Sequence, residues 1–156
     1  MAYQKLQVER ALTVIPDDTI DIPNVAGPTV DSTMSSIPPT ASVIVDDTQD
    51  FTTIVGLVGS TVIVGTGIAR VATVDSATSI TLDDAIAGAA AVPYTIYLED
   101  TEGCVLYVGN TGNVRVLTAG NDDVTFVGIP AGAFVPVQVR RVFDSTTDAT
   151  DIVALW

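Results

Sequence analysis

The sequence predicts an all-β chain: a small antiparallel β-sandwich formed by the N- and C-terminal segments, with a small SH3/OB-like β-barrel inserted between them. Three observations predict it. β-Branched apolar runs recur along the chain and are cut by Gly, Asn and Asp, which suit tight turns. No helix of useful length can be fitted to the last third. The apolar fraction is 47% but the aromatic fraction only 6%, so the core must be built from Val, Ile, Leu and Ala.

Residues 5–14 alternate, with Leu6, Val8, Leu12 and Val14 on one face and Lys5, Gln7, Glu9 and Thr13 on the other. Arg10 breaks the inward set, which calls for a bulge or a buried carboxylate partner. Pro16-Asp17-Asp18-Thr19 reads as a turn, and Ile20 and Ile22 as a short second strand. Residues 23–40 hold four of the eight prolines, with Gly, Ser and Thr between them. Proline removes a backbone donor and blocks helix and ladder, so residues 25–40 are expected as a linker or extended arm.

Residues 41–99 read as a second module. Strands are expected at residues 42–45, 61–64, 68–75, 79–82 and 93–98, and their even spacing suggests the small barrel. Residues 83–91 (DDAIAGAAA) read as a short helical turn capped by Asp83. From Gly103 onward, strands are expected at residues 104–108, 114–117, 124–126 and 134–143, with a last one running to Trp156. Turns lie at residues 109–113, 119–123, 128–132 and 144–148. The insertion places residues 1–24 and 100–156 in one discontinuous sandwich domain, so the first strand must pair with C-terminal strands.

The C-terminal order LYVG, a Gly/Asn turn, V-x-V, DDVTF-x-GIPAG, VPVQVRRV, a Thr-rich turn and DIVALW resembles a recurrent module of tailed-phage virion proteins. It is similar in particular to the head spike base, or capsid decoration, protein of phages and gene transfer agents. The opening, from Tyr3-Gln4-Lys5 through Ala11-Leu12-Thr13-Val14-Ile15-Pro16 to Ile22-Pro23-Asn24, matches the same family. Independently, DDTQDFTT, GSTVIV, ARVATVDSATSITLDDAI and YTIY in the middle resemble a module repeated in marine and cyanophage structural proteins. The resemblance implies a homo-oligomeric protein on the exterior of the phage head. Its implied contacts are copies of itself, a major capsid or other virion protein, and a fibre protein or host surface. It implies no enzyme activity. A neck, connector or tail-fibre component is the alternative within the class; a host-glycan-binding or depolymerase module is the alternative outside it.

Charge bounds the partners. Nineteen acids against six bases give −13, with no His. Nucleic acid would be repelled, because affinity for it comes from Lys and Arg neutralising phosphates. An anionic bilayer would be repelled too. The N-terminus carries Lys5, Glu9 and Arg10 where a signal peptide would be apolar, so synthesis in the host cytoplasm is expected.

Chemistry-bearing constellations are sparse. Without His, Ser-His and Cys-His nucleophile pairs cannot form. The acid pairs Asp17-Asp18, Asp46-Asp47, Asp83-Asp84 and Asp122-Asp123 match no Ca²⁺ loop spacing and fall at strand ends, where Asp stabilises turns. A carboxylate pair can serve a glycosidase, but those need an aromatic-lined cleft and this chain has one Trp. Cys104 lies within an apolar run and reads as a buried side chain. No catalytic residue, metal ligand or cofactor is expected. The candidate interface residues are Arg10, Arg140, Arg141 and Trp156. Arg140-Arg141 is the densest positive spot; in a strand one of the two should point inward, and Asp148 or Asp151 is the expected partner. Trp156 either closes the core or anchors an interface.

Overall fold

Short β-branched runs set off by turn residues become antiparallel strands throughout. The computed structural model describes residues 8–23, 26–36, 40–87 and 90–156. The strands are β1 (Ala11–Thr13), β2 (Val30–Thr33), β3 (Val43–Val45), β4 (Thr61–Val64), β5 (Gly67–Ser76), β6 (Ser79–Leu82), β7 (Pro93–Tyr97), β8 (Cys104–Val108), β9 (Gly112–Thr118), β10 (Asp123–Ile129), β11 (Ala133–Val142) and β12 (Ile152–Leu155). One 3-10 turn, Phe51–Thr53, is capped by Asp50, whose carboxylate accepts from the Thr52 amide. The chain divides into two compact units: Met1–Val25 with Thr101–Trp156, and Ala26–Asp100.

The first unit is one six-stranded antiparallel sheet in the order β1-β12-β8-β11-β9-β10. The two ends of the chain share it: Ala11 pairs with Leu155 and Thr13 with Val153. Strand β11 is long because it serves two neighbours. It pairs with β8 at Ala133–Val135 and again at Val139, opposite Cys104, and with β9 from Val139 to Val142. Bulges between these stretches bend the strand, so the sheet folds over its own core. Alternation then decides burial: Cys104, Leu106 and Val108 face inward from β8, Val114 and Val116 from β9, and Ile152 and Ala154 from β12.

Two details of the first unit differ from the sequence reading. Leu6 lies outside the described residues, Val8 is exposed and Leu12 only half-buried, so the first strand buries Val14 alone. Ile20 and Ile22 are buried but form no strand. The segment runs beside β11 through isolated bonds, the Asp17 amide donating to the Val142 carbonyl and the Ile22 amide to that of Arg140.

The second unit is a curled six-stranded antiparallel sheet, β2-β7-β4-β5-β6-β3. Irregularities at Val71–Thr73 and Val74–Ser76 bend β5. The curl brings the two edges together, and the Ser35 amide, just past β2, donates to the Val45 carbonyl in β3. The result is the expected barrel-like module, filled by Ile44, Phe51, Val62, Val71, Ile80, Tyr94 and Ile96 among others.

Residues 25–40, expected as a linker or arm, are corrected here. They carry β2, which pairs with β7 from Val30↔Ile96 to Thr33↔Pro93 and adds Val30 and Met34 to the core. The reason is local: Pro28 precedes the strand, Pro38 and Pro39 fall outside the described residues, and Val-Asp-Ser-Thr keeps every backbone donor. The expected helical turn at residues 83–91 is absent among its described residues. Asp83 accepts from the Arg70 amide instead, and Asp84 from the Ala85 amide.

Candidate functional site

The densest polar arrangement is a ladder of arginines and aspartates on the first unit. Asp21 is its centre. It lies between Ile20 and Ile22, both in the interior, and is only 3% exposed. Such a carboxylate is tolerable only if paired and hydrogen-bonded. Arg140 Nη2 donates to its Oδ2 at 2.8 Å and Arg141 Nε to its Oδ1 at 2.6 Å. A regular strand would send neighbouring side chains to opposite faces. The register shift between Val139 and Arg141 relieves that alternation, and both guanidiniums reach one carboxylate.

From this centre the network runs both ways. Arg140 Nη1 donates to Asn121 Oδ1, and Arg141 Nη1 to the Asp18 carbonyl. Asp18 accepts the Ser145 amide and hydroxyl, which hold its carboxyl below the usual range, the amide most strongly. The Ser145 hydroxyl also accepts from Arg115, which grips Asp123 with two parallel bonds of 2.9 and 2.7 Å. That grip lowers the Asp123 carboxyl and raises the Arg115 guanidinium. Phe143 is stacked by Arg115 at 4.4 Å and Arg141 at 5.7 Å from its ring centre.

The predicted site residues therefore divide. Arg140 and Arg141 meet on one partner, but that partner is Asp21 and not Asp148 or Asp151. Both expected partners are engaged elsewhere: Asp148 accepts the Asn113 amide, and Asp151 the Asn110 side chain. Arg10 and Trp156 sit together at the other side of the sheet, joined by the Trp156 amide donating to the Arg10 carbonyl. Among the described residues no carboxylate pairs with Arg10. Trp156 packs against the core and its indole donates to the Thr101 hydroxyl at 3.0 Å. β8 lies between β12 and β11, so the two pairs of candidates belong to different strands of the sheet and form no single patch.

A second polar centre, absent from the candidate residues, lies in the second unit. Asp46 is fully buried. Its Oδ2 accepts the Ser32 and Tyr94 hydroxyls, both at 2.6 Å, and its Oδ1 accepts the Thr48 amide and hydroxyl and the Ser35 hydroxyl. Burial pushes the carboxyl up; the Ser32, Thr48 and Tyr94 bonds together outweigh it and bring it down to about 2. The Tyr94 hydroxyl is driven strongly upward by burial and by this neighbour. Asp46 thus ties β2, β7 and the end of β3. In the sequence it looked like half of a turn pair; the signal was Val-Ile-Val before it and hydroxyl residues at 32, 35 and 48.

Other reactive groups are quiet. Burial pushes the Cys104 thiol up to about 12, and its Sγ lies 3.2 Å from the Val139 carbonyl. A cleft of about 270 Å³ lies along residues 144–152, with Asp144, Asp148 and Asp151 on its wall. No group of His, Cys, Asp and Glu suited to a metal occurs among the described residues. Compared with protein-family models, curated proteins and solved structures, the chain gives no match in any of the three.

Proposed function

We propose that the chain is a structural protein of a tailed-phage particle, a capsid decoration or head-spike base protein on the head exterior. It acts by adhesion, through contacts with its own copies and with the major capsid protein. One observation carries the reading. The motifs that resemble the head spike base family are strands of a single sheet: LYVG in β8, DDVTF in β10, VPVQVRRV in β11 and DIVALW in β12. The resemblance thus follows one folded unit and not scattered loops. Charge agrees with it. Arg115, Arg140 and Arg141 are consumed by carboxylates of their own unit, leaving an acidic exterior that suits the outside of a DNA-filled shell.

The test is location. Particles purified from a lysate that makes the chain are analysed by mass spectrometry and labelled with gold-conjugated antibody. Label on the head, at its vertices or faces, is the expected result. Label at the neck or tail moves the protein to the connector or fibre alternative. Absence from purified particles ends the virion reading.

A further inference from the structure

We propose that β10 is a self-association edge: two copies of the chain join β10 to β10, antiparallel, about a two-fold axis at Thr125. This names the surface for the self-association part of the reading above, and it stands or falls separately from the virion.

The backbone argument comes first. β10 is last in the sheet order, paired with β9 on one side. Thr125 lies opposite Arg115 in that pairing. The Arg115 amide donates to the Thr147 hydroxyl and its carbonyl accepts from Phe143, so the Arg115 backbone turns away from β10. Antiparallel strands alternate between positions that exchange hydrogen bonds and positions that do not. Thr125 is therefore of the second kind, and its own N–H and C=O point to the open edge. The Thr118 amide donating to the Asp122 carbonyl fits the same alternation.

The side chains fit a second copy of this acidic chain. Copies carrying −13 repel one another, yet residues 124–139 contain no charged residue. Val127 is 80% exposed and Val124 is exposed as well. Asp123, at the head of the strand, is already neutralised by Arg115. Natural edge strands are usually guarded by lysine, proline, a bulge or an inward charge; β10 has an irregularity only at its far end, between Phe126 and Ile129, and none of the other guards beyond its first residue. The second unit guards its edges differently, by bringing β2 and β3 together through Ser35 and Asp46.

A two-fold axis at Thr125 makes the strand its own complement. Thr125 faces Thr125, Val124 faces Phe126, and Asp123 faces Val127, so no like charges meet. Val124 and Phe126 lie opposite Val116 and Val114, on the core face, so the partner extends the apolar face of the sheet. Gly128, at a φ of +64°, turns the strand out of line and sets where the pairing ends.

The experiment uses the full chain. In sedimentation at micromolar concentration a dimer is expected, and it should strengthen as salt rises because screening removes the repulsion between copies. Directly opposed Cα atoms in a hydrogen-bonded antiparallel pair lie about 5.5 Å apart, within reach of a disulfide. Thr125→Cys treated with oxidised glutathione should then give a covalent dimer, Cys104 being buried. Val55→Cys, at a 90% exposed position of the other unit, should not. Val127→Asp, which sets a second carboxylate opposite Asp123 of the other copy, should abolish the dimer while far-ultraviolet dichroism shows the chain still folded. A wild-type monomer at high salt whose Thr125→Cys variant does not cross-link overturns the proposal, as does a dimer that survives Val127→Asp. A dimer of a chain absent from phage particles overturns the virion reading alone; particle-bound copies with β10 free overturn this one alone.

Discussion

Each unit of this chain buries one aspartate at a point where elements must be held together, and the two are held by opposite means. Asp21 in the first unit is gripped by two guanidiniums. Asp46 in the second is gripped by neutral donors only: three side-chain hydroxyls from Ser32, Thr48 and Tyr94, the weaker Ser35 hydroxyl, and one amide. Composition explains the difference. The second unit has nine acids and Arg70 as its one base; the first has ten acids and five bases. With its sole arginine at the rim, paired to Asp100, the second unit stabilises its buried carboxylate with Ser, Thr and Tyr. A buried anion requires donors, and those donors need not be charged.

Removing the two carboxylates breaks the comparison most directly. Asp46→Ala should cost the second unit about 4 kcal/mol, because Tyr94 and Ser32 then keep hydroxyls with no partner in a dry core. Asp21→Ala should cost the first unit about 3 kcal/mol. The smaller figure follows from exposure: Arg140 and Arg141 side chains are 34% and 20% accessible, and long stems can swing their heads into water. Trp156, the single tryptophan, packs in the first unit, so its fluorescence separates the effects. Urea titration should move the tryptophan transition in Asp21→Ala and leave it in place in Asp46→Ala, where far-ultraviolet dichroism carries the loss. The reverse pattern would mean that the two carboxylates do not serve separate units.

Acid sharpens the contrast. The Asp46 carboxyl titrates at about 2 in the folded chain, below its ordinary value of 3.8. A depressed carboxylate adds stability that is fully present above the unfolded value and is lost as pH falls through the folded one. The second unit should therefore lose about 2 kcal/mol between roughly pH 5 and pH 2. Asp46→Asn should flatten that limb of the stability curve. If the variant and the wild type fall in parallel below pH 4, Asp46 is not the group responsible.

How much of this was readable in advance differs between the two units in the same way. Strands β4, β6 and β8 fall on the residues that alternation and turn chemistry mark out, because those rules are local. The pairing of the chain ends was also legible, since Leu12–Val14 and Ile152–Leu155 are apolar runs at the two termini of one resembled module. The partner of Arg140 and Arg141 was not. Asp148 is near in sequence, whereas Asp21 is about 120 residues away and is brought beside β11 by single bonds of a loop that forms no strand. Asp46 failed for another reason. An aspartate after a strand usually caps a turn, and only the curl that brings β2 against β3 encloses it. Likewise β2 was hidden by its prolines, which flank a strand whose own residues are all able to pair.

The smallest expected effect concerns the second unit's lone cation. Arg70 Nη2 donates to Asp100 at 2.9 Å, with both side chains about one-third accessible. Exposed pairs of this kind contribute about 0.5–1 kcal/mol and are screened by salt. Asp100→Asn keeps an acceptor for the Thr61 hydroxyl, so it isolates the charge. It should lower the stability of the second unit by less than about 1 kcal/mol at low salt, and by nothing measurable once the ionic strength is raised. Asp21→Ala should keep most of its cost at both salt concentrations, because the lost carboxylate was shielded from solvent. A salt-insensitive Asp100→Asn would place the rim pair on the same footing as the buried one and remove the distinction between a unit neutralised by arginine and a unit held by hydroxyls.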